Sequence, residues 1–527
     1  MQTGWHARHR NKPEKWRGYT QVYGADGKYL RYWHFHSIAE KGMAMTDTPC
    51  IFDIPRNCWA VENADKASVI IDAENYFRHL RHAMKNAQRR IILIGWDFDA
   101  RVEMYDTEHE PEGPLEIGHY VDWLVKRNPQ LQIYILRWDT GAIRSIFRGK
   151  TIITLTRWRF HSRIHLKLDS KHPIGAAQHQ KMVVIDEDTA FCGGIDITDD
   201  RWDTRAHRED QPQRIPPNNA DAGPWHDAAM AVQGEVAKKM AEFAVNRWKI
   251  AGGRKMIDTV AGDSWPDLLE PDFRDVDVAI SRTQPKTDDQ EAINEIEQLY
   301  IDLIASAEKY IYAESQYFAS GKIAAAIAAR LKESGGPEII ILNPVVSEGW
   351  LEPEVMDTKR AQFISALMDV DHENRFRVFH AINEAGSAVY IHAKVVIVDD
   401  RIIRVGSSNI NNRSLGFDTE CDLTIDAGND TIDRERIAHI RNDLIAEHLD
   451  TSVEEIEQVL ARTGSLIKTI EQCRSDGTSL RDYRLPELDD LREWVADHSL
   501  LDPKNADDNF AGLKRKRRWR KWIRRWH

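Results

Sequence analysis

Two histidines head the same short pattern. His179, Lys181 and Asp186, and again His392, Lys394 and Asp399, spell HxKxxxxD, and a glycine follows seven residues after each aspartate. In this composition a loose version of the pattern arises by chance about 0.5 times per chain, and requiring the glycine lowers that to about 0.025. Two accidents in one register are therefore a poor explanation, and the copies point to one shared two-histidine phosphodiester site. Attack on a phosphodiester anion needs a nucleophile, a proton donor and neutralisation of the phosphate oxygens. Two imidazoles and two ammonium groups supply all three. An imidazole titrates near neutrality, so one copy can be unprotonated while the other is protonated, and no metal or other cofactor is required.

The elements that must position these groups are strands. HQKMVVID and HAKVVIVD are apolar, β-branched runs in which alternate residues share a face, so each histidine points the same way as its lysine and each aspartate the other way. Asp186 and Asp399 are thus predicted to be structural. Gly193-Gly194-Ile195-Asp196 follows the first strand and Gly406-Ser407-Ser408-Asn409 the second. Small residues there let backbone N–H groups approach a phosphate, which makes Gly194, Ser407 and Asn409 candidate phosphate contacts. Helical and strand patterns alternate around each motif: NYFRHLRHAMKNAQRR, IILIGWDF, HYVDWLVKR and LQIYILRW before the first, NEIEQLYIDLIASAEKY, IYAESQYF, IAAAIAARLKESG and PEIIILNP before the second. This predicts an α/β protein of two lobes, 61–262 and 263–440, each a mixed sheet flanked by helices. An N-terminal extension (1–60), a helical C-terminal cap (441–509) and a basic tail (510–527) complete the expected division.

These motifs, with GGIDITDDRWDT, PWHD, GWDF at Gly95 to Phe98, ESQYF at Glu314 to Phe318 and NINNRS at Asn409 to Ser414, resemble the phospholipase D superfamily over roughly residues 58 to 450. The first two resemble its eukaryotic-type branch. The resemblance implies two pseudo-symmetric lobes with one active site between them, His179 as nucleophile, His392 as general acid, and a covalent phosphohistidine. It also implies that Asp227 and Glu420 orient the histidines, crossing between halves: Glu420 to His179 and Asp227 to His392. Asp196, where the second copy has Asn409, is a substitution that branch shares. The implied activity is hydrolysis of a glycerophospholipid to phosphatidic acid and free headgroup, with an alcohol as a possible acceptor in place of water. A cardiolipin-synthase-like phosphatidyltransferase, a nuclease of the same superfamily and a catalytically silent membrane scaffold are the alternatives.

Composition fits a globular enzyme: 527 residues, 42% hydrophobic, net charge −12. That acidity argues against nucleic acid as the partner, and a monomer is expected. No apolar run reaches membrane-spanning length and the N-terminal residues carry no Sec-type apolar stretch, so a cytoplasmic or peripheral membrane location is expected, with non-classical export open. Five cysteines without zinc spacing demand no oxidising compartment. His6, His9, His34, His36, His161 and His165 lack metal-ligand spacing and read as surface or structural. Residues 514–527 hold nine Lys or Arg and no acid. On a helix Trp519, Trp522, Ile523 and Trp526 would form one stripe opposite a basic face, a pattern suited to a phospholipid surface. Nucleic-acid binding, or packing of the tryptophans on the protein, is the alternative for that tail.

Overall fold

The computed structural model describes residues 18–23, 29–34, 49–139, 149–198, 200–214, 222–259, 262–288, 290–346 and 353–485. The tail, with Trp519, Trp522, Ile523 and Trp526, lies outside the described residues. Residues 1–48 and 49–527 form two compact units. In the first, strands Gly18–Tyr23 and Tyr29–His34 pair antiparallel.

The larger unit shows the duplication strand by strand. In the first half Arg90–Gly95, Gln132–Trp138 and Ile164–Asp169 run parallel. On the other side of Arg90–Gly95 lies the antiparallel motif strand Met182–Ile185, which turns into Thr189–Gly193. The second half repeats this with Tyr310–Glu314, Glu338–Leu342 and Phe376–Ile382 in parallel, then Val395–Val398 and Ile402–Gly406. Helices Ile117–Arg127 and Gly321–Leu331 supply crossovers that parallel strands require, and a further helix leads into the first parallel strand of each half. Ala73–Asn86 buries Tyr76, Phe77, Leu80, Ala83 and Met84, and Glu295–Ser306 buries Ile296, Leu299, Tyr300, Leu303 and Ile304. Both sets follow the spacing that turns one helix face to a sheet.

The two lobes share one sheet. Ala60–Ile71 and Phe273–Gln284 pair antiparallel with each other, and each also pairs within its own half, to Ala228–Gln233 and Glu420–Asp426 respectively. The hydrogen-bond ladder is thus continuous where two separate sheets were expected. The cap expected from residue 441 does not begin there. That position lies inside helix Thr431–Leu449, whose start is fixed by the Asp430 side chain accepting from the N–H groups of Ile432 and Asp433. After two further helices the chain returns as strand Ser479–Asp482 on Phe376–Ile382, so the cap also extends the second-lobe sheet.

Candidate active site

Strand direction places both motifs at one edge. Met182 pairs with Ile94 and Val395 with Glu314, which sets His179 and His392 beyond the C-terminal ends of the parallel strands. Each motif aspartate turns away from that edge, as alternation predicts. Asp186 accepts from the backbone N–H groups of Gln88, Arg89 (2.9 Å) and Arg90 (2.7 Å). Asp399 does the same for Glu308 (2.5 Å), Lys309 (2.7 Å) and Tyr310 (2.9 Å). Each carboxylate thereby fastens its motif strand to the start of the neighbouring parallel strand.

The halves exchange backbone contacts just before their acids. The N–H of His179 donates to Thr419 O (3.0 Å) and that of His392 to His226 O (2.8 Å). The next residues are Glu420 and Asp227, and their side chains complete the crossing. His179 Nδ1 meets Glu420 at 3.0 Å and His392 Nδ1 meets Asp227 Oδ2 at 2.6 Å. With Nδ1 engaged, Nε2 is the nitrogen each ring has left for chemistry. His392 is 5% exposed and His179 17%, so the first-half ring is the more open of the two.

The lysines are tied to the same backbone. Lys181 Nζ donates to His179 O at 3.0 Å and pairs with Asp196 at 3.2 Å; Lys394 Nζ donates to His392 O. Asp196 has a second task, since its Oδ1 accepts from the Trp96 N–H at 3.0 Å. It is therefore a brace between Lys181 and the Gly95–Trp96 turn. Arg201, Trp225, Gln316 and Tyr390 also belong to the site, and spacing gave no sign of them. Arg201 lies 4.1 Å over the Trp225 ring, which stacks on Tyr390 at 4.6 Å and lies 5.0 Å from the His392 ring. Gln316 donates to the Tyr390 hydroxyl at 2.9 Å.

Two expected phosphate contacts have other work. The Gly194 N–H is donated to Ala228 O at 2.9 Å, and a Cβ there would stand 2.0 Å from Asp227 Oδ1, so this glycine makes room for the acid of His392. Ser407 Oγ donates to Glu420 Oε2 at 2.5 Å and its N–H goes to Cys421 O and Asp422, which makes it a support for the acid of His179. Asn409 differs: Nδ2 reaches Gln316 Oε1 at 3.4 Å while its buried Oδ1 has no hydrogen-bond partner among the described residues. Over its described part the stretch from Thr204 runs along the surface, with Arg205, Arg208, Glu209 and Asp210 exposed, and is anchored at two points. Arg205 pairs with Asp443 at 2.6 Å, and the buried His207 bridges Asp203 (3.0 Å) and Glu447 (2.9 Å).

Electrostatics set the protonation of the rings. Burial holds His179 well below its ordinary 6.5, and the Lys181 and Lys394 charges lower it further. Burial also lowers His392, joined by the charges of Lys394, Arg201, Lys181 and His179. The protein groups alone thus favour two neutral imidazoles, where the sequence suggested one charged and one neutral. An anion held between the lysines would offset their charge and raise the affinity of the rings for a proton. Burial pushes Glu420 up to about 8 and raises Asp227, while burial drives Lys394 down to about 7.

Residues 83–265 match the family model described as Phospholipase D, and residues 300–443 the one described as Cardiolipin synthase, PLD-like domain. Phospholipase D A of Dictyostelium discoideum is 25% identical over 424 residues, covering 67% of this chain and 32% of its own length. Phospholipase D alpha 4 of Arabidopsis thaliana is 23% identical, covering 68% of this chain and 61% of its own. Phospholipase D1 of Saccharomyces cerevisiae is 24% identical, covering 74% and 29%. The chain therefore spans about a third to three fifths of the length of these curated relatives. Among solved structures, phosphatidylserine synthase of Haemophilus influenzae aligns with a TM-score of 0.51 at 16% identity, over 82% of this chain and 92% of that one, a likeness of fold. A duplicated α/β architecture with paired His–Lys motifs on one edge defines the class of protein. The chain belongs to the phospholipase D superfamily.

Proposed function

We propose that this protein is a phospholipase D, cleaving the distal phosphodiester of glycerophospholipids to release phosphatidic acid and free headgroup. The observation that carries the reading is the pair of crossed imidazole–carboxylate contacts, each beside a lysine and each leaving Nε2 available. His179 Nε2 forms a bond to phosphorus as the bond to the headgroup oxygen breaks, and His392 Nε2 gives that oxygen its proton. His392 then takes a proton from water, whose oxygen displaces His179 from phosphorus. Glu420 and Asp227 stabilise the imidazolium forms, and Lys181 and Lys394 neutralise the phosphate oxygens. Neither step asks for a metal or another cofactor. His179 is assigned as nucleophile through the family resemblance.

A lipid surface as partner is supported by exposed apolar side chains near the edge that carries the motifs. Ile174 and Val346, 81% and 56% exposed, closely follow the C-terminal ends of the parallel strands Ile164–Asp169 and Glu338–Leu342. Among the described residues no helix is long and apolar enough to cross a membrane. Transfer of the phosphatidyl group to an alcohol is the second reading. It is favoured by the cardiolipin synthase family that residues 300–443 match and by the solved structural relative, itself a phosphatidylserine synthase.

The test is a panel of phosphatidylcholine, phosphatidylethanolamine and phosphatidylglycerol vesicles with single-stranded and duplex DNA, with and without excess glycerol. Wild type, His179→Ala and His392→Ala are compared. Phosphatidate from wild type, none from either variant and intact DNA is the expected result. From phosphatidylcholine or phosphatidylethanolamine vesicles, phosphatidylglycerol outweighing phosphatidate in glycerol selects the transferase reading. DNA cleavage selects the nuclease, and binding without turnover the scaffold.

A further inference from the structure

Behind the His392 dyad lies a cluster of charged groups, its carboxylates and imidazoles buried, for which the mechanism above has no use. His226 immediately precedes Asp227 on the short strand Trp225–His226, and neighbouring strand residues face opposite ways. Asp227 faces His392, and the His226 ring faces the cluster. Its Nε2 lies 2.8 Å from Glu314 Oε2, and its Nδ1 lies 2.9 Å from Glu447 Oε1 and 3.1 Å from Asp72 Oδ1. A ring with a carboxylate oxygen at both nitrogens must donate from both, so it is an imidazolium. His207 is held alike between Asp203 and Glu447. Four carboxylates (Asp72, Asp203, Glu314, Glu447) thus face two imidazolium rings and the guanidinium groups of Arg205 and Arg214. Taking the protons off the rings would leave four carboxylates facing only those two guanidinium groups, at a cost of several kcal/mol for each buried ion left unpaired.

The same groups hold Asp227 from behind. The Asp72 N–H donates to Asp227 O at 2.8 Å, the Asp227 N–H points at Asp72 Oδ1 at 3.4 Å, and the His226 carbonyl accepts the His392 N–H at 2.8 Å. Glu314 ends a second-lobe strand, Glu447 sits on helix Thr431–Leu449, and Asp72 leads into a first-lobe helix, so one ring ties three segments together. We propose that His226 is a positioning residue for the reaction: a buried imidazolium clamped between Glu314 and the Asp72–Glu447 pair, which holds the Trp225–Asp227 segment so that Asp227 stays aligned on Nδ1 of His392. The proposal rests on the two-histidine reading of the site.

The clamp also acts through charge. Burial raises the Asp227 carboxyl, and the His226 cation is among the groups that oppose this rise. Losing the cation would leave Asp227 more easily protonated and less able to stabilise the His392 imidazolium. Besides Asp72, Glu314 and Glu447, the groups near the ring are His207 at 5.7 Å and His448 at 4.6 Å between centroids, and Tyr312, which donates to Glu314 at 2.5 Å.

The leaving group supplies the test. Choline must be protonated as it departs, whereas p-nitrophenolate leaves without a proton, so only the first needs the acid that His226 positions. Single-turnover release is measured for wild type, His226→Gln and Glu314→Gln with a short-chain phosphatidylcholine and with a p-nitrophenyl phosphodiester. For His226→Gln, choline release should fall about 10²-fold, the lower end of what general acid catalysis contributes, with KM within about twofold and p-nitrophenol release within about threefold of wild type. Glu314→Gln, which keeps the ring and one set of partners, should show a smaller loss with the same leaving-group dependence. The nitrogen-15 spectrum of histidine-labelled wild type, assigned against His226→Gln, should show both His226 nitrogens protonated from about pH 5 to 9. Equal losses for both leaving groups, no loss, a singly protonated His226 at neutral pH, or stoichiometric metal in the purified protein would each overturn the proposal. If wild type releases p-nitrophenol and no choline, the lipid reading fails while the histidine spectrum still decides the clamp.

Discussion

At the scale of residues, the two dyads are alike in connection and unlike in setting. Glu420 is supported by Ser407, whereas Asp227 is packed against Gly194 and backed by the His226 cluster. Replacing an orienting carboxylate by its amide keeps the shape and loses the charge that stabilises the imidazolium. Glu420→Gln should therefore lower kcat by about 10²- to 10⁴-fold with little change in KM, read from initial rates on a soluble short-chain lipid. pH dependence follows from the same surroundings. Because the His179 value is depressed, the ring stays unprotonated and nucleophilic as pH falls through 6.5, so the acid limb of kcat/KM should lie below that value. Lys394, pushed down to about 7 by burial, loses its charge as pH rises through that point. KM should then increase above about pH 7, and a KM flat to pH 9 would refute the assignment of Lys394 to phosphate binding.

At the scale of elements, the glycines after the motif strands are spacers. Gly194→Ala would place a methyl group on the Asp227 carboxylate, so it should reduce kcat toward the level of Asp227→Asn while the fold survives, as circular dichroism and kinetics together would report. The motif aspartates act on the fold. Removing Asp186 or Asp399 strips the acceptor from three backbone N–H groups, and each alanine variant should lose about 2–4 kcal/mol in urea unfolding. Because these side chains face away from the histidines, kcat of the folded fraction should stay near wild type. That facing was legible in the sequence, since the strand period alone puts an aspartate five residues after a lysine on the opposite face. The direct phosphate contacts assigned to Gly194 and Ser407 were not, because a small residue in a row of letters can admit a ligand or a neighbouring side chain equally well.

At the scale of the whole molecule, one continuous sheet carries both lobes, and the single site depends on segments that reach across it. Lipid turnover also requires the protein to meet a surface. Deleting residues 514–527 should weaken sedimentation with anionic vesicles and spare cleavage of a soluble short-chain substrate; each cation near an anionic leaflet is worth about 1 kcal/mol. Unchanged vesicle binding would count against the basic, tryptophan-bearing tail as a membrane element.

The sequence by itself determined the duplication, the α/β alternation, the His–Lys pairs and the outward turn of Asp186 and Asp399. All of these are periodic features written along a single stretch of chain. The crossing of Glu420 and Asp227 could be named in advance only through the family resemblance, because no spacing encodes a contact between residues 241 or 165 positions apart. Tertiary structure alone decided that Asp196 braces a turn, that Arg201 and Trp225 join the site, and that His226 and His207 are clamped between carboxylates. A buried ion needs partners from several distant segments at once, and only packing brings those segments together.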